Sequence, residues 1–199
     1  MLAVALAAVG CGGDDLSPAA QARRDAELIA AAYGNRVEEA RRLIDAGADV
    51  NAQDETKQSA YLISTSEGYL ELLRLTLRNG ADVGSLDSYN GTGLIRAADR
   101  GHVEIVRELL ETDIHVDHVN RLGWTALLEA IILGDGGARH TEVVRLLVEA
   151  YADVNLGDRE GVTPLEHARR GGYREMIDLL ERAGARYRSP PSRSVLPLQ

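Results

Sequence analysis

The feature that most constrains this chain is a spacing. Gly47, Gly80, Asp113, Tyr151 and Gly184 each close a short amphipathic run, and they lie 33, 33, 38 and 33 residues apart. The period divides the chain into five units: 26–47, 59–80, 92–113, 125–151 and 163–184. Each unit holds two short helical patterns. The inner one carries Leu28, Ile29, Ala31 and Ala32 in the first unit, Tyr61, Leu62 and Ile63 in the second, and Ala97 and Ala98 in the third. The outer one runs over 70–77, 101–106 and 142–148 in the middle units. A single helix pair of this size cannot bury its own apolar face, so the units must stack into one continuous core with polar outer faces at both ends. The end units fit, with Glu38, Glu39, Arg41 and Arg42 on one and Arg174, Glu175, Asp178, Glu181 and Arg182 on the other. Paired alanines permit close helix contact, and glycine after an outer helix suits a left-handed C-cap.

Gly123-Trp124-Thr125-Ala126-Leu127, Ala152-Asp153-Val154-Asn155 and Gly161-Val162-Thr163-Pro164-Leu165 resemble the ankyrin repeat, whose signature includes T-P-L-H at this period. The resemblance implies an all-α repeat solenoid of helix-turn-helix units with β-hairpin loops between them, about five units including caps. Aromatic residues make up 4% of the chain with no Phe, which suits small stacked helices better than a β-sandwich. Several positions depart from the pattern. Ile29, Leu62, Ile95, Leu128 and Glu166 stand where the family has its histidine, replacing a polar tie by apolar packing in four units. Asp113 and Tyr151 replace the C-cap glycine, and Tyr151 is strained there unless its turn differs. Lys57 replaces a loop glycine, so the loop over 53–58 is expected to be the least regular. The fourth unit carries five extra residues within 134–140, read either as an extended exposed turn or as a second contact site.

The beginning of the chain reads differently. An apolar run over 2–9 is too short to span a bilayer. Ala8-Val9-Gly10-Cys11 resembles a bacterial lipoprotein cleavage box, with Ala8 where Leu is usual and no Lys or Arg before the run. The resemblance implies cleavage before Cys11 and a lipid on its thiol. With the long turn of the fourth unit, it makes the chain similar to exported bacterial ankyrin-repeat lipoproteins. The expected organisation is a lipoprotein-type signal with the lipidation cysteine over 1–11, a flexible tether over 12–24, the repeat domain over 25–186 and a disordered tail over 187–199. Gly12 after the cysteine, where Asp is absent, implies the outer membrane, facing the periplasm. Membrane contact is expected only through this lipid anchor.

Catalytic signatures are absent from the sequence: it holds no G-x-S-x-G, no G-x-x-x-x-G-K-[ST] and no H-E-x-x-H. No catalytic residue, metal ligand or cofactor is therefore assigned. His115 and His118 are three apart on an extended segment with no Cys or third His near, too few for a structural metal. Cys11 is the only cysteine, which excludes an internal disulfide. The net charge of −9 argues against nucleic acid, because phosphate binding needs a basic face.

What remains is a surface for another protein. By resemblance, ankyrin proteins bind through loop tips and the concave side of the inner helices. The tips are Gln53, Glu55, Thr56 and Gln58; Leu86, Ser88 and Tyr89; Val119, Arg121, Leu122 and Trp124; and Arg159, Glu160 and Val162. Ser66, Glu67, Asp99, Arg100, Ile132, Leu133, Arg169 and Arg170 adjoin them. The tip with the only Trp also carries Leu, Val and Arg, and Trp and Arg are enriched in binding hot spots. Trp124 lies either at that contact or flat against its neighbour. The expectation is a monomeric, non-enzymatic, membrane-tethered scaffold in the periplasm, its partner being another protein. The alternatives are a secreted, host-directed effector and, behind it, a small-ligand or metal-dependent enzyme using the 134–140 loop.

Overall fold

A computed structural model describes residues 17–186. Within them the chain forms ten helices: α1 (Pro18–Tyr33), α2 (Val37–Asp45), α3 (Ala60–Glu67), α4 (Leu70–Arg78), α5 (Gly93–Asp99), α6 (Val103–Leu110), α7 (Ala126–Ile132), α8 (Ala138–Glu149), α9 (Pro164–Gly171) and α10 (Arg174–Arg182). The odd-numbered helices contact one another in sequence as an inner row, and the even-numbered ones as an outer row. This is the all-α solenoid that the resemblance implies. Cys11, expected to carry the lipid, and the tail expected over 187–199 lie outside the described residues.

Each inner helix starts by one device. The hydroxyls of Ser17, Ser59, Thr92, Thr125 and Thr163 accept from the backbone N–H three residues on, at 3.2–3.4 Å, satisfying a donor that the first turn leaves unpaired. Thr163 completes a capping box with Glu166. The inner helices then bury their small and branched residues: Ala31, Ala32, Ala97 and Ala98 are fully enclosed. In α3 the small positions are instead hydroxyls. Ser64 and Thr65 donate back to the carbonyls of Tyr61 and Leu62 at 2.6 and 2.8 Å, which leaves no buried donor unmet.

Four outer helices exit alike. The N–H of Ala48, Ala81, Ala152 and Ala185 each donates to the carbonyl five residues back, at 2.9–3.0 Å. The residue between is left-handed: Gly47, Gly80 and Gly184, and at φ 62° Tyr151. The turn at Tyr151 is thus the glycine-type turn without the glycine, and its ring stands 93% exposed. Asp113 breaks the series, because it is not left-handed. There Thr112 Oγ1 donates to Leu109 O at 2.6 Å and accepts from Ile114 N. A second difference accompanies this one. Asn51 Oδ1 accepts from Asp82 N at 2.7 Å, Asp117 Oδ1 from Asp153 N at 2.9 Å, and Asn155 Oδ1 from Arg186 N at 2.8 Å, each tying a neighbouring exit. Gly84 occupies the corresponding place beside Asp113 and has no side chain to offer.

Three expectations are corrected. Residues 18–24, expected in the tether, are the first turns of α1. Ser17-Pro18 caps and starts that helix, a Pro at the first turn being favourable there. Gln21 and Arg24 then donate to the carbonyls of Gly47 and Ala46 at 2.9 and 2.7 Å, so this extension covers the first unit's exit. The fourth outer helix, expected over 142–148, starts at Ala138 and encloses His140, because part of the insertion lengthens α8 to 12 residues. The remaining turn over 134–137 is pinned by Tyr173 Oη, which donates to Gly134 O at 3.0 Å, and by His140 Nε2, which donates to Asp99 O at 3.0 Å. Finally, no strand forms among the described residues. The loops between units are tight turns held by side chains.

Candidate functional site

Four fingers project between the units, and one residue builds each of them. Asp54, Asp87, Asn120 and Asp158 recur at the same separations as the helix exits. In each finger this residue's Oδ1 accepts from the N–H two and four residues on, at 2.8–3.0 Å. Its own N–H donates to the carbonyl four residues on, at 2.9–3.0 Å. The residue three on is left-handed: Lys57, Asn90, Gly123 and Gly161. The finger over 53–58 is therefore as regular as the rest, contrary to expectation. Its carboxylate accepts three bonds within the finger, from Thr56 N, Thr56 Oγ1 and Gln58 N, and a fourth from Tyr33 Oη, which offset the roughly 1 kcal/mol of placing Lys57 in the left-handed region. Net of burial, which acts the other way, those bonds hold the Asp54 carboxyl below its ordinary value.

The finger residue also reaches the inner helix, nine residues further on, and here the units differ. In the third unit Asp87 Oδ2 faces Arg96 Nε at 3.7 Å. In the fifth, His167 Nε2 donates to Asp158 Oδ2 at 2.7 Å. In the fourth, Asn120 Nδ2 donates to Glu129 Oε1 at 2.7 Å. Two units therefore pair an acid with a base; the fourth pairs an amide with an acid. Glu129 is only 5% exposed. Burial pushes its carboxyl up to about 7, the Asn120 bond opposing, Asp99 and Asp87 adding and Arg96 subtracting. In Asp158 burial also pushes upward, but the bonds from His167 and from the N–H of Val162 and Glu160 win, and its carboxyl lies below the ordinary value.

Between the second and third fingers lies a cavity of about 160 Å³, walled by both fingers, α5 and α7. Asp87, Arg96, Asp99, Asn120 and Glu129 line it, and Tyr89, Leu122 and Leu133 form its apolar part. Six large hydrophobic residues are exposed among the described residues, and Tyr89 (59%), Val119 (42%), Leu122 (47%) and Leu133 (52%) are four of them. Of these, Tyr89, Leu122 and Leu133 meet around the cavity, and exposed apolar residues clustered in this way mark interaction sites.

The expected contact residues divide into two groups. Gln53 Nε2 donates to Leu86 O at 3.1 Å, Arg121 Nη1 to Ser88 O at 2.9 Å, and Arg159 to Arg121 O, so these three tie each finger to the one before it. Gln58 and Val162 are half-buried and give their N–H groups to Asp54 and Asp158. Trp124 is half-buried with its N–H bound to Asn120, and Leu86 is half-buried too. Glu55, Thr56, Ser88, Tyr89, Val119, Leu122 and Glu160 are exposed at the tips. Only the second and third fingers bring apolar tips together around a cavity. His118 Nε2 donates to Asn90 O at 2.7 Å, another tie between fingers, while His115 is exposed. Sequence reasoning missed Asp54, Asp87, Asn120 and Asp158 as builders, and Glu129 as the buried acid. Their recurrence at the repeat period was the available signal, as was a lone acid within the apolar run of α7.

Comparison with known proteins follows the same outline. The family described as ankyrin repeats (3 copies) matches residues 61–158 and 119–190, and ankyrin repeats (many copies) matches 28–75. The ankyrin repeat protein YahD of Escherichia coli (strain K12) is 42% identical over 144 residues, 72% of each chain. A crystal structure of an ankyrin repeat domain from Acinetobacter baumannii AYE is 53% identical, with a TM-score of 0.79 over 80% of this chain and 81% of that one. The ankyrin repeat protein EF0377 is 36% identical, with a TM-score of 0.75 over 77% and 78%.

Proposed function

Because the chain belongs to the ankyrin repeat family, whose members are in general interaction modules without chemistry of their own, we propose that it is a protein-binding scaffold whose partner seats on the concave face at the second and third fingers. The observation that carries this is the grouping of Tyr89, Leu122 and Leu133, exposed apolar residues that line one cavity. We further propose that the scaffold is monomeric and tethered in the bacterial periplasm, at the outer membrane, by a lipid on Cys11. The residues Ala8-Val9-Gly10-Cys11 support the tether, and no helix among the described residues is long and apolar enough to cross a membrane.

Two experiments test the two halves. Full-length protein carrying Tyr89→Ser with Leu122→Ser is compared with wild type as bait on envelope extract. The double variant is expected to keep its helical signal and to lose a protein that wild type retains. Retention by both would refute the concave site. For the tether, Cys11→Ser is expected to move the protein from the membrane to the soluble fraction. An unchanged distribution rules out the lipid, and a cleaved, unlipidated protein in the medium fits a secreted effector instead.

A further inference from the structure

The three finger pairs that reach their inner helices serve as an internal control on one another. The third unit supplies its own cation, Arg96, and the fifth supplies His167. The fourth has Asn120 and Glu129 at these places, and no cationic group lies within 4 Å of Glu129 among the described residues. The other charges around it are already engaged, Asp87 with Arg96 at 3.7 Å and Asp99 with Arg100 at 3.6 Å. A buried carboxylate that lacks a cation is costly, and a cation brought to it relieves that cost. Glu129 also lines the cavity, so that cation can arrive from outside. At about 160 Å³ the cavity is below the roughly 300–1,000 Å³ of small-ligand sites. It holds one side chain. A long cationic side chain lays its methylenes on apolar surface while its head reaches a charge, and a tyrosine face attracts it further.

We propose that this cavity receives a lysine or arginine side chain of a partner polypeptide, with a neighbouring apolar side chain of the partner seated on Tyr89, Leu122 and Leu133. This rests on the concave-face reading and names the chemistry of its occupant. The charged groups facing Glu129 are Asp99 and Arg96 from α5 and Asp87 from the second finger. A cation beside Glu129 favours its ionised form, so binding strengthens as pH rises from 6 to 8.

The test titrates the full chain with the capped tripeptides Leu-Arg-Leu, Leu-Lys-Leu and Leu-Glu-Leu, and with arginine amide, following backbone amide shifts of Asn120, Leu122, Glu129 and Leu133. The cationic tripeptides are expected to saturate these shifts about tenfold more tightly than the acidic one. Glu129→Gln keeps the acceptor for Asn120, so the fold persists, and it should weaken cationic binding about five- to tenfold and remove its dependence on pH. Equal binding of the acidic tripeptide, indifference to Glu129→Gln, or no shift at these residues would overturn the proposal. Arginine amide binding as tightly as the tripeptide would overturn its polypeptide part. Partner capture that survives Glu129→Gln but not Tyr89→Ser with Leu122→Ser would overturn it while leaving the concave site in place.

Discussion

The fingers of the fourth and fifth units share a backbone and differ in one pairing. In both, the finger residue accepts the same two backbone N–H bonds at its Oδ1. Behind the finger, Asp158 meets His167, whereas Asn120 meets Glu129. The fold thus demands only a side-chain oxygen at the tip. The residue nine positions on is free to set local charge, provided that the two are not both acids. Where the pair is acid and base, it closes on itself; where it is amide and acid, a carboxyl is left facing a cavity under an apolar rim.

The largest expected effect comes from breaking that rule. Asn120→Asp places two carboxylates where Asn120 Nδ2 and Glu129 Oε1 are now 2.7 Å apart, and it should cost about 2–3 kcal/mol at pH 8, read by chemical denaturation. Adding Glu129→His rebuilds the fifth unit's pairing and should recover most of that loss. A double variant no more stable than Asn120→Asp alone would show that the pair is not the unit of design.

His167→Ala follows in size. It removes a partly buried hydrogen bond to a carboxylate, worth about 1–2 kcal/mol at pH 7, and should allow Asp158 to take up its proton at higher pH than in wild type. NMR titration of the Asp158 carboxyl checks both signs.

The two acids should also give opposite slopes with pH. Glu129, raised to about 7 from an ordinary 4.5, holds its proton in the folded state where the unfolded chain has lost it. Its contribution is therefore best below 4.5 and falls away as pH climbs to 7. Asp158 is lowered from 3.8, so it contributes above that value and loses its contribution as pH falls through the folded one. Accordingly Glu129→Gln should be near neutral at pH 4.5 and stabilising at pH 8 by about 1–2 kcal/mol, solvent access through the cavity mouth reducing the full effect. A variant equally stable relative to wild type at both pH values would contradict this. Smallest is Tyr151→Gly, which relieves a left-handed tyrosine but loosens the unfolded chain, for a gain of about 0.5–1 kcal/mol in thermal unfolding.

How much of this was legible in the sequence varies by physical cause. The period revealed the units, their two helices and three glycine exits, because each rests on contacts within a few residues. Lys57 was misjudged for the opposite reason: what holds it is Asp54, whose role shows only when four fingers are compared. The Asp113 exit, held by Thr112, also lacks the tie that Asn51, Asp117 and Asn155 give the other exits, a difference at Gly84 that shows only when units are compared. Ser17-Pro18 was a local signal overlooked among small polar neighbours. The apolar tips of the second and third fingers were legible, but not the engagement of Arg121 and Gln53 with adjacent carbonyls, nor the half-burial of Trp124. Both depend on how closely neighbouring fingers approach.

The central claim, that a partner seats at the cavity between the second and third fingers, is tested most directly by photo-crosslinking in intact cells. A photoreactive amino acid replaces Leu122 in one strain and Tyr151 in another, both exposed apolar positions on different parts of the fold. A discrete adduct from position 122, absent from 151 and lost when Tyr89→Ser is added, is the predicted result. Adducts from 151 alone, or from both positions alike, would contradict it.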